Sequence, residues 1–383
     1  MNYYIQQFFS QHHIIQILFY IAAGSALIQL FYYLFFYARV FGFKRRLSEN
    51  HNYSPLSVII CAKNEKQNLE KFLVSVLEQD YGTFEVIVVD DASEDKSVDF
   101  LNSMKEKYEN LYVTYLEANN GKTQGKKMAV TIGVKAAQYE YMVFTDADCK
   151  PQSRYWLQAI ADSYSDSTDI VLGYGAYFKS GGLLNKIIRY DTMFIAMQYM
   201  SFAKAGFPYM GVGRNLSYTK TIYNSVKGFS SHYHIMSGDD DLFVNQTANK
   251  RNTQIVTTPE SITHSEPKTS FSDLVKQKRR HFTSSKRYKA KHKLLLGLEI
   301  FSRVLFYSAL IVLFTMGAMP ELIAGIYGTR FIVKHLVLGR AVFVFKEKDL
   351  IFFSFLFDIL IPLINIWTLV SKYFIKNKIK TRW

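Results

Sequence analysis

The chain has 383 residues, carries 46 Lys and Arg against 32 Asp and Glu (formal net charge +14), and is 49% hydrophobic and 16% aromatic. That length holds two ordinary domains, or one domain plus membrane segments. Two cysteines, Cys61 and Cys149, exclude a disulfide framework and suit a reducing cytosol.

Residues 1–38 contain no Asp, Glu, Lys or Arg. Within them Ile14–Ala38 is long enough to cross a bilayer, which takes about 20 apolar residues. The segment lacks a positive n-region and a small-residue cleavage site, so it is expected to be a retained anchor rather than a secretory signal. Arg39, Lys44, Arg45 and Arg46 follow at once. Such a flank stays in the cytosol and leaves the N-terminus outside. Residues 1–46 are therefore assigned as an N-terminal anchor with its basic flank.

Residues 50–295 have the pattern of a soluble domain. "LSVIICAKN" (Leu56–Asn64) is an apolar run ending in polar residues, as a strand buried on both faces requires, and Leu69, Phe72, Leu73, Val76 and Leu77 follow at helical spacing. "FEVIVVDDASED" predicts a second buried strand with a helix after it from Lys96, and "LYVTYLEA" a third strand. "TQGKKMAVTIGVKAAQ" predicts a helix, and "YMVFTDADCKP" a fourth strand. Strands alternating with helices mean βαβ units and a parallel sheet. Ligand sites in such sheets lie beyond the carboxyl ends of the strands, here "AKNE", "DDASED" and "TDADC".

Beyond residue 295 comes a C-terminal membrane region, 296–383, expected to hold two or three spans. Val304–Met319 is free of charge, and Leu350–Ser371 is interrupted only by Asp358. Between them Glu321–Phe345 is apolar but carries Arg330, Lys334 and Arg340, which suits an interfacial helix or a span whose charges snorkel or pair. The tail Lys372, Lys376, Lys378, Lys380 and Arg382 argues for a cytosolic C-terminus. In a soluble protein the net positive charge would raise nucleic acid as a partner. Beside membrane segments, attraction to an anionic leaflet explains it better, and the chain has no nucleic-acid recognition motif.

Several constellations carry chemistry. "GKTQGKK" is not a phosphate-binding loop, because the position five before Gly121 is Leu116. Lys126 and Lys127 there either open a solvated helix or face an anion. Asp146 and Asp148, two apart at a strand end, project to one side, where two carboxylates repel unless a cation or a proton intervenes. Asp90 and Asp91 end a neighbouring strand, so four carboxylates meet at one crevice. Hard cations such as Mg²⁺ take one or two such carboxylates plus phosphate oxygens. In "SGDDDLFVNQ" one of Asp239, Asp240 and Asp241 suits a helix cap, and another could act as a general base. The stretch Lys276–Lys293 holds nine Lys and Arg, and within it Gln277, Arg280 and His281 share one side of a helix, where an arginine fork would stabilise a leaving diphosphate. Lys286–Lys293 would form a cytosolic collar ahead of the next membrane segment.

The ordered set "SVIICAKNE", "VVDDASED", "TDADC", "GDDDL" and "QKRRH" resembles the family 2 glycosyltransferases, in particular the membrane-anchored branch with cellulose, chitin and hyaluronan synthases. The resemblance covers roughly residues 50–295. It implies a GT-A fold, that is a Rossmann-like, mostly parallel α/β domain, here flanked by transmembrane helices. It also implies a nucleotide-diphosphate sugar donor, a glycan or lipid acceptor and a metal, Mg²⁺ or Mn²⁺. Carried over, Cys61, Glu65 and Asp91 would line the nucleoside pocket, with Asp91 reading the base, and Lys126 would lie near the nucleotide. Asp146 and Asp148 would be the DxD pair, with Asp148 the direct metal ligand, and Asp240 the catalytic aspartate. "GVGRN", with Gly213 and Asn215, would border the acceptor. Gln277 and Arg280 match the family's QxxRW helix, while His281 stands where processive members carry Trp. The expected protein is thus an integral protein of the plasma or inner membrane with its catalytic domain in the cytosol. Competing readings are single-sugar transfer to a lipid carrier, or a catalytically inactive membrane scaffold.

Overall fold

A computed structural model describes residues 13–42, 54–117, 125–235 and 237–374. The flank at Lys44, Arg45 and Arg46, the loop residues Gly121–Gln124 and the tail cations from Lys376 onward lie outside the described residues. The first helix, α1 (His13–Phe31), widens into a π turn at Tyr32–Phe36 and then tightens into a 3₁₀ turn at Tyr37–Gly42.

The α/β domain then opens with β1 (Leu56–Ala62), buried at every position, as its unbroken apolar run requires. Next come α2 (Lys66–Leu77), β2 (Phe84–Asp91), α3 (Ser97–Lys105) and β3 (Leu111–Leu116), then α4 (Lys126–Ala136) and β4 (Tyr141–Asp146). Helix α2 buries Leu69, Phe72, Leu73, Val76 and Leu77, the face its spacing announces. The stretch expected as one fourth strand divides. Its first half is β4, and after a turn at Ala147–Asp148 the second half, β5 (Cys149–Pro151), joins a different sheet.

The chain continues through α5 (Trp156–Ala161), β6 (Ile170–Leu172), β7 (Gly175–Tyr177) and the long α6 (Leu183–Lys204). After these come β8 (Leu216–Thr219), α7 (Lys220–Ser225), α8 (Asp241–Thr247), β9 (Thr253–Ile255), β10 (Thr263–Ser265) and α9 (Phe271–Ser285). Seven strands pair in the order β3-β2-β1-β4-β8-β6-β9, with β8 antiparallel to both neighbours, and β5-β10-β7 form a small second sheet. Register brings Cys61 opposite Asp146 and Ala62 opposite Asp90, so the carboxyl ends of β1, β2 and β4 finish level. That levelling turns three separate acidic strand ends into one acidic rim.

Three long helices complete the chain: α10 (Ala290–Thr315), α11 (Pro320–Val344) and α12 (Ser354–Phe374), the last preceded by a 3₁₀ turn at Lys348–Phe353. Helix α10 begins five residues before the expected domain limit of 295. Together with α1 these make four helices long and apolar enough to cross a membrane. The charges of α11 are resolved by pairing: Arg330 and Lys334 reach Asp358 of α12 at 2.9 and 3.1 Å, and all three are buried. Arg330 also donates to Gln29 of α1 (2.7 Å) and to Tyr307 of α10 (3.1 Å).

Removing one partner of a buried ion pair strands the other charges, at a cost of about 3–5 kcal/mol. Asp358→Ala is therefore expected to lower the thermal unfolding midpoint of the detergent-solubilised protein markedly, and Asp358→Asn to lower it less. Unchanged midpoints for both would contradict the anchoring role.

Candidate active site

The acidic rim is held together by one ammonium. Lys126, at the start of α4, places Nζ 2.8 Å from Asp146 Oδ1 and 3.3 Å from Asp239 Oδ2. Burial opposes its charge, but Asp146, Asp239 and Asp240 outweigh it and hold the pKa well above the usual lysine value. Of the two readings for this helix start, anion contact is the one the side chain adopts. Lys127 turns the other way and is buried, donating to the carbonyls of His232 (2.6 Å) and Ile235 (2.7 Å), which fixes the segment leading to the aspartate run.

A cleft of about 330 Å³ opens at this point, lined among others by Cys61, Lys126, Asp146, Gly213, Asp239 and Asp240. Asp240 is the N-cap of α8. Its Oδ2 accepts from the Gly213 N–H at 2.8 Å and its Oδ1 from the Asp241 N–H at 2.7 Å. Burial, with the charges of Asp239 and Asp241, pushes its pKa up to about 7, against the pull of Lys126 and the Gly213 N–H. Asp241 is spent on structure: it accepts from Ser284 Oγ (2.5 Å) and Tyr288 OH (2.7 Å), tying α8 to the end of α9. The three aspartates thus divide into an ion-pair partner, a cleft carboxylate and an internal anchor.

Asp148 lies one turn from Asp146, and its carboxyl is raised by burial and by the Asp146 charge. A ligand atom from each of Asp146, Asp148 and Cys149 lies within 4.8 Å of the others. Two carboxylates, one satisfied by Lys126 and one raised for want of a cation, fit a hard divalent ion that also takes phosphate oxygens. Burial drives the Cys149 thiol well above its ordinary pKa, so it stays protonated beside the pair and offers a poor ligand. Glu65, at the N-cap of α2, accepts from Asn68 at 2.5 Å. Its pKa is raised by burial, with Asp148 and Asp146 adding to the rise and Asn68 opposing it.

At the end of β2 both aspartates are buried. Asp91 Oδ2 accepts from the Gly125 N–H at 3.3 Å and lies 3.9 Å from Lys63 Nζ. Asp90 uses Oδ2 for the Ser93 N–H (3.0 Å), while its buried Oδ1 has no partner. The expected base reader was Asp91, yet the unpartnered oxygen belongs to Asp90.

The acceptor-side residues separate. Gly213 sits in the cleft, where a Cβ would lie 3.4 Å from Lys126 Nζ and 3.5 Å from Asp240 Oδ2. Asn215 does not face the cleft. Fully buried, it donates to the Tyr174 and Ser261 carbonyls (2.9 and 2.6 Å) and accepts from Trp156 Nε1 (3.2 Å), so its side chain holds the loop. Gln277 donates to Tyr177 OH at 2.9 Å, and the same ring underlies the Arg214 guanidinium at 4.2 Å. Arg280 is half-buried, and among the described residues its guanidinium has no recorded hydrogen bond or ion pair. His281, next to it, is exposed on α9. In Lys286–Lys293 the lysines and Arg287 are exposed while Tyr288 and His292 are buried, a solvated collar leading into α10.

Sequence reasoning passed over Asp90, Asp239, Arg214 and Tyr177 as site residues. Asp90 and Asp239 stood inside motifs already marked, and Arg214 lies between two marked residues. Tyr177 had no signal, because only the second sheet brings it to Gln277.

Residues 57–232 match the family model "Glycosyl transferase family 2". That match covers less than half of the chain. Among curated proteins the chain is 36% identical over 118 residues to a 4,4'-diaponeurosporenoate glycosyltransferase of Staphylococcus haemolyticus (30% of this chain, 30% of the relative). It is 26% identical over 188 residues to glycosyltransferase AglE of Haloferax volcanii (48% and 58%) and 31% over 117 residues to a poly-beta-1,6-N-acetyl-D-glucosamine synthase of Staphylococcus epidermidis (30% and 27%). These matches span less than two-thirds of each relative's length. Among solved structures, a mannosyltransferase from Pyrobaculum calidifontis, in complex with GDP-Man and Mn²⁺, superposes with TM-score 0.60 at 19% identity, covering 95% of this chain and 99% of the other. The fold is therefore GT-A-like: a mostly parallel α/β domain with apolar helices that could span a membrane.

Asn215→Ala would leave the Trp156 N–H and two carbonyls buried without partners, at about 1–3 kcal/mol for each group. Its thermal midpoint is expected to fall well below that of Arg280→Ala, in which a half-exposed side chain without recorded partners is cut. The reverse order would return Asn215 to the acceptor side.

Proposed function

We propose that the protein is an inverting glycosyltransferase. It moves a sugar from a nucleotide-diphosphate sugar to a hydroxyl acceptor, a polysaccharide or glycolipid, at the cytosolic face of the membrane. The observation that carries this reading is Asp240, a buried carboxylate at the cleft whose pKa is pushed up to about 7 and whose position is fixed by two backbone N–H groups. A base is most useful when its pKa lies near the operating pH.

Asp240 takes the proton of the acceptor hydroxyl as the oxygen bonds to the anomeric carbon, while the bond from that carbon to the diphosphate oxygen breaks. Asp148, with Asp146, would hold Mg²⁺ or Mn²⁺, which neutralises charge on the departing diphosphate. Arg280 adds a guanidinium, and Lys126 exchanges a carboxylate partner for a phosphate oxygen. Glu65 and Cys61 border the nucleotide, and the end of β2 meets its base, with Asp90 Oδ1 free to accept a ring N–H. Intact carboxylates in all of these places argue against a scaffold, which has no use for clustered unpaired charge.

A second reading is single-sugar transfer to a lipid carrier. It is favoured by His281, an exposed imidazole on α9 where a stacking tryptophan would grip a growing glycan.

Asp240→Asn is expected to reduce transfer by roughly 10²–10⁴-fold while metal-dependent donor binding persists. Equal loss of binding and turnover, measured by calorimetry and a product assay, would remove the general-base role. Because Asp240 must be ionised to act, kcat/KM is expected to fall as pH drops through about 7 and to level off above it. A flat profile between pH 5.5 and 8 would refute the assignment.

A further inference from the structure

Among the described residues four helices are apolar enough to cross a membrane, and three of them share one small core that the fourth does not enter. Ala22 and Ala26 of α1, Phe306 and Leu313 of α10, and Met319 and Ile323 at the start of α11 pack together, and no residue of α12 joins them. The buried apolar residues of α12, Phe357, Ile361 and Ile364, belong instead to the large core of the catalytic domain, which also takes in Val337, Leu338, Ala341 and Val342 at the end of α11.

Tethers run along the whole length of α12. In its first turn Asp358 meets Arg330 and Lys334, and the Phe357 ring lies 5.1 Å from that of Tyr190 on α6. Further on, Asn365 accepts from Lys278 of α9 at 2.9 Å, and the same Lys278 pairs with Asp191 of α6 at 2.6 Å. Near the end, Ser371 accepts from Arg279 of α9 at 2.5 Å. Thirteen residues of helix rise about 20 Å from Asp358 to Ser371. A crossing helix would carry Ser371 that far from the domain, yet both ends touch it.

The loop before α12 is held on the same side. Arg189 of α6 donates to Glu347 and Asp349, and Lys179 pairs with Asp349 at 3.0 Å. Helix α11 therefore brings the chain back to the catalytic domain, and α12 never leaves it.

The two faces of α12 are inverted for water. Ser354, Asp358, Thr368 and Ser371 point inward and are buried, whereas Phe355, Ile359, Leu363, Ile366, Trp367 and Val370 point outward, with Leu363 55% exposed. A polar face turned to protein and an apolar face turned away is stable only if hydrocarbon covers the outside.

We propose that α12 does not cross the membrane but lies flat in the leaflet on the catalytic side, gripping α6 and α9 with one face and immersing the other in lipid, so that the chain crosses only at α1, α10 and α11. Helix α9, with Gln277, Arg280 and His281, then rests on a lipid-embedded rail, and the cleft mouth is set at the bilayer surface.

Sidedness tests this directly. Single cysteines are introduced into the full chain as Lys71→Cys on the catalytic domain and Met316→Cys in the turn after α10, both exposed positions, and one is appended after Trp383. Cys61 and Cys149 are buried, so the unaltered chain reports background. With a membrane-impermeant maleimide on membrane vesicles of defined orientation, Lys71→Cys and the appended cysteine are expected to label from one side and Met316→Cys from the other. Labelling of the appended cysteine together with Met316→Cys would overturn the proposal. Depth gives an independent reading: a fluorophore at position 355, 363 or 370 should be quenched best by the same brominated lipid. A crossing helix would place 363 deepest, and an absence of quenching at all three would mean that protein, not lipid, covers the face.

Discussion

The ammonium of Lys126 is the interaction on which this molecule turns. Three carboxylates from two separate segments, Asp146 at the end of β4 and Asp239 and Asp240 before α8, approach one another at the end of a parallel sheet. Unneutralised, such a group would repel itself apart or take up protons. One lysine at the first position of α4 satisfies two of the three directly. Asp240 is left short of full neutralisation, which together with burial lifts its pKa into the working range of a base. Asp148, beyond the lysine's recorded contacts, is left as the carboxylate that wants a cation.

The same economy governs the aspartate run. Asp239, Asp240 and Asp241 are consecutive, so the backbone must send them in different directions. Capping α8 fixes Asp240 against Gly213, Lys126 draws Asp239, and Ser284 and Tyr288 draw Asp241 into the junction of α8 and α9. The site is thereby joined to α9, and α9 to the membrane helices through Lys278 and Arg279.

Much of this could be read from the chain itself. Buried strands are legible because a strand covered on both faces must be apolar throughout, and helix α2 buries the five residues its spacing picks out. The acidic end of β4 and the aspartate run before α8, which Lys126 brings together, were legible as charge clusters because chemistry restricts residue type. Where each side chain of a motif points was not legible. Asn215 sits in "GVGRN" yet spends its amide on two carbonyls and an indole, and at "VVDD" the free oxygen is on Asp90, not Asp91.

Sequence alone determined the class of domain, the acidic rim, the metal-suited pair and the presence of apolar segments, since each depends on local pattern or on residue chemistry. Only the tertiary structure decided that Lys126 faces carboxylates, that Arg330 and Lys334 are neutralised by Asp358, and that the apolar residues of α12 pack into the domain's core rather than into the cluster of Ala22, Phe306 and Ile323. Composition records how much apolar surface a helix has but not which face meets protein. Pairing of charges far apart in the chain is fixed only when burial brings them within reach and makes separation costly.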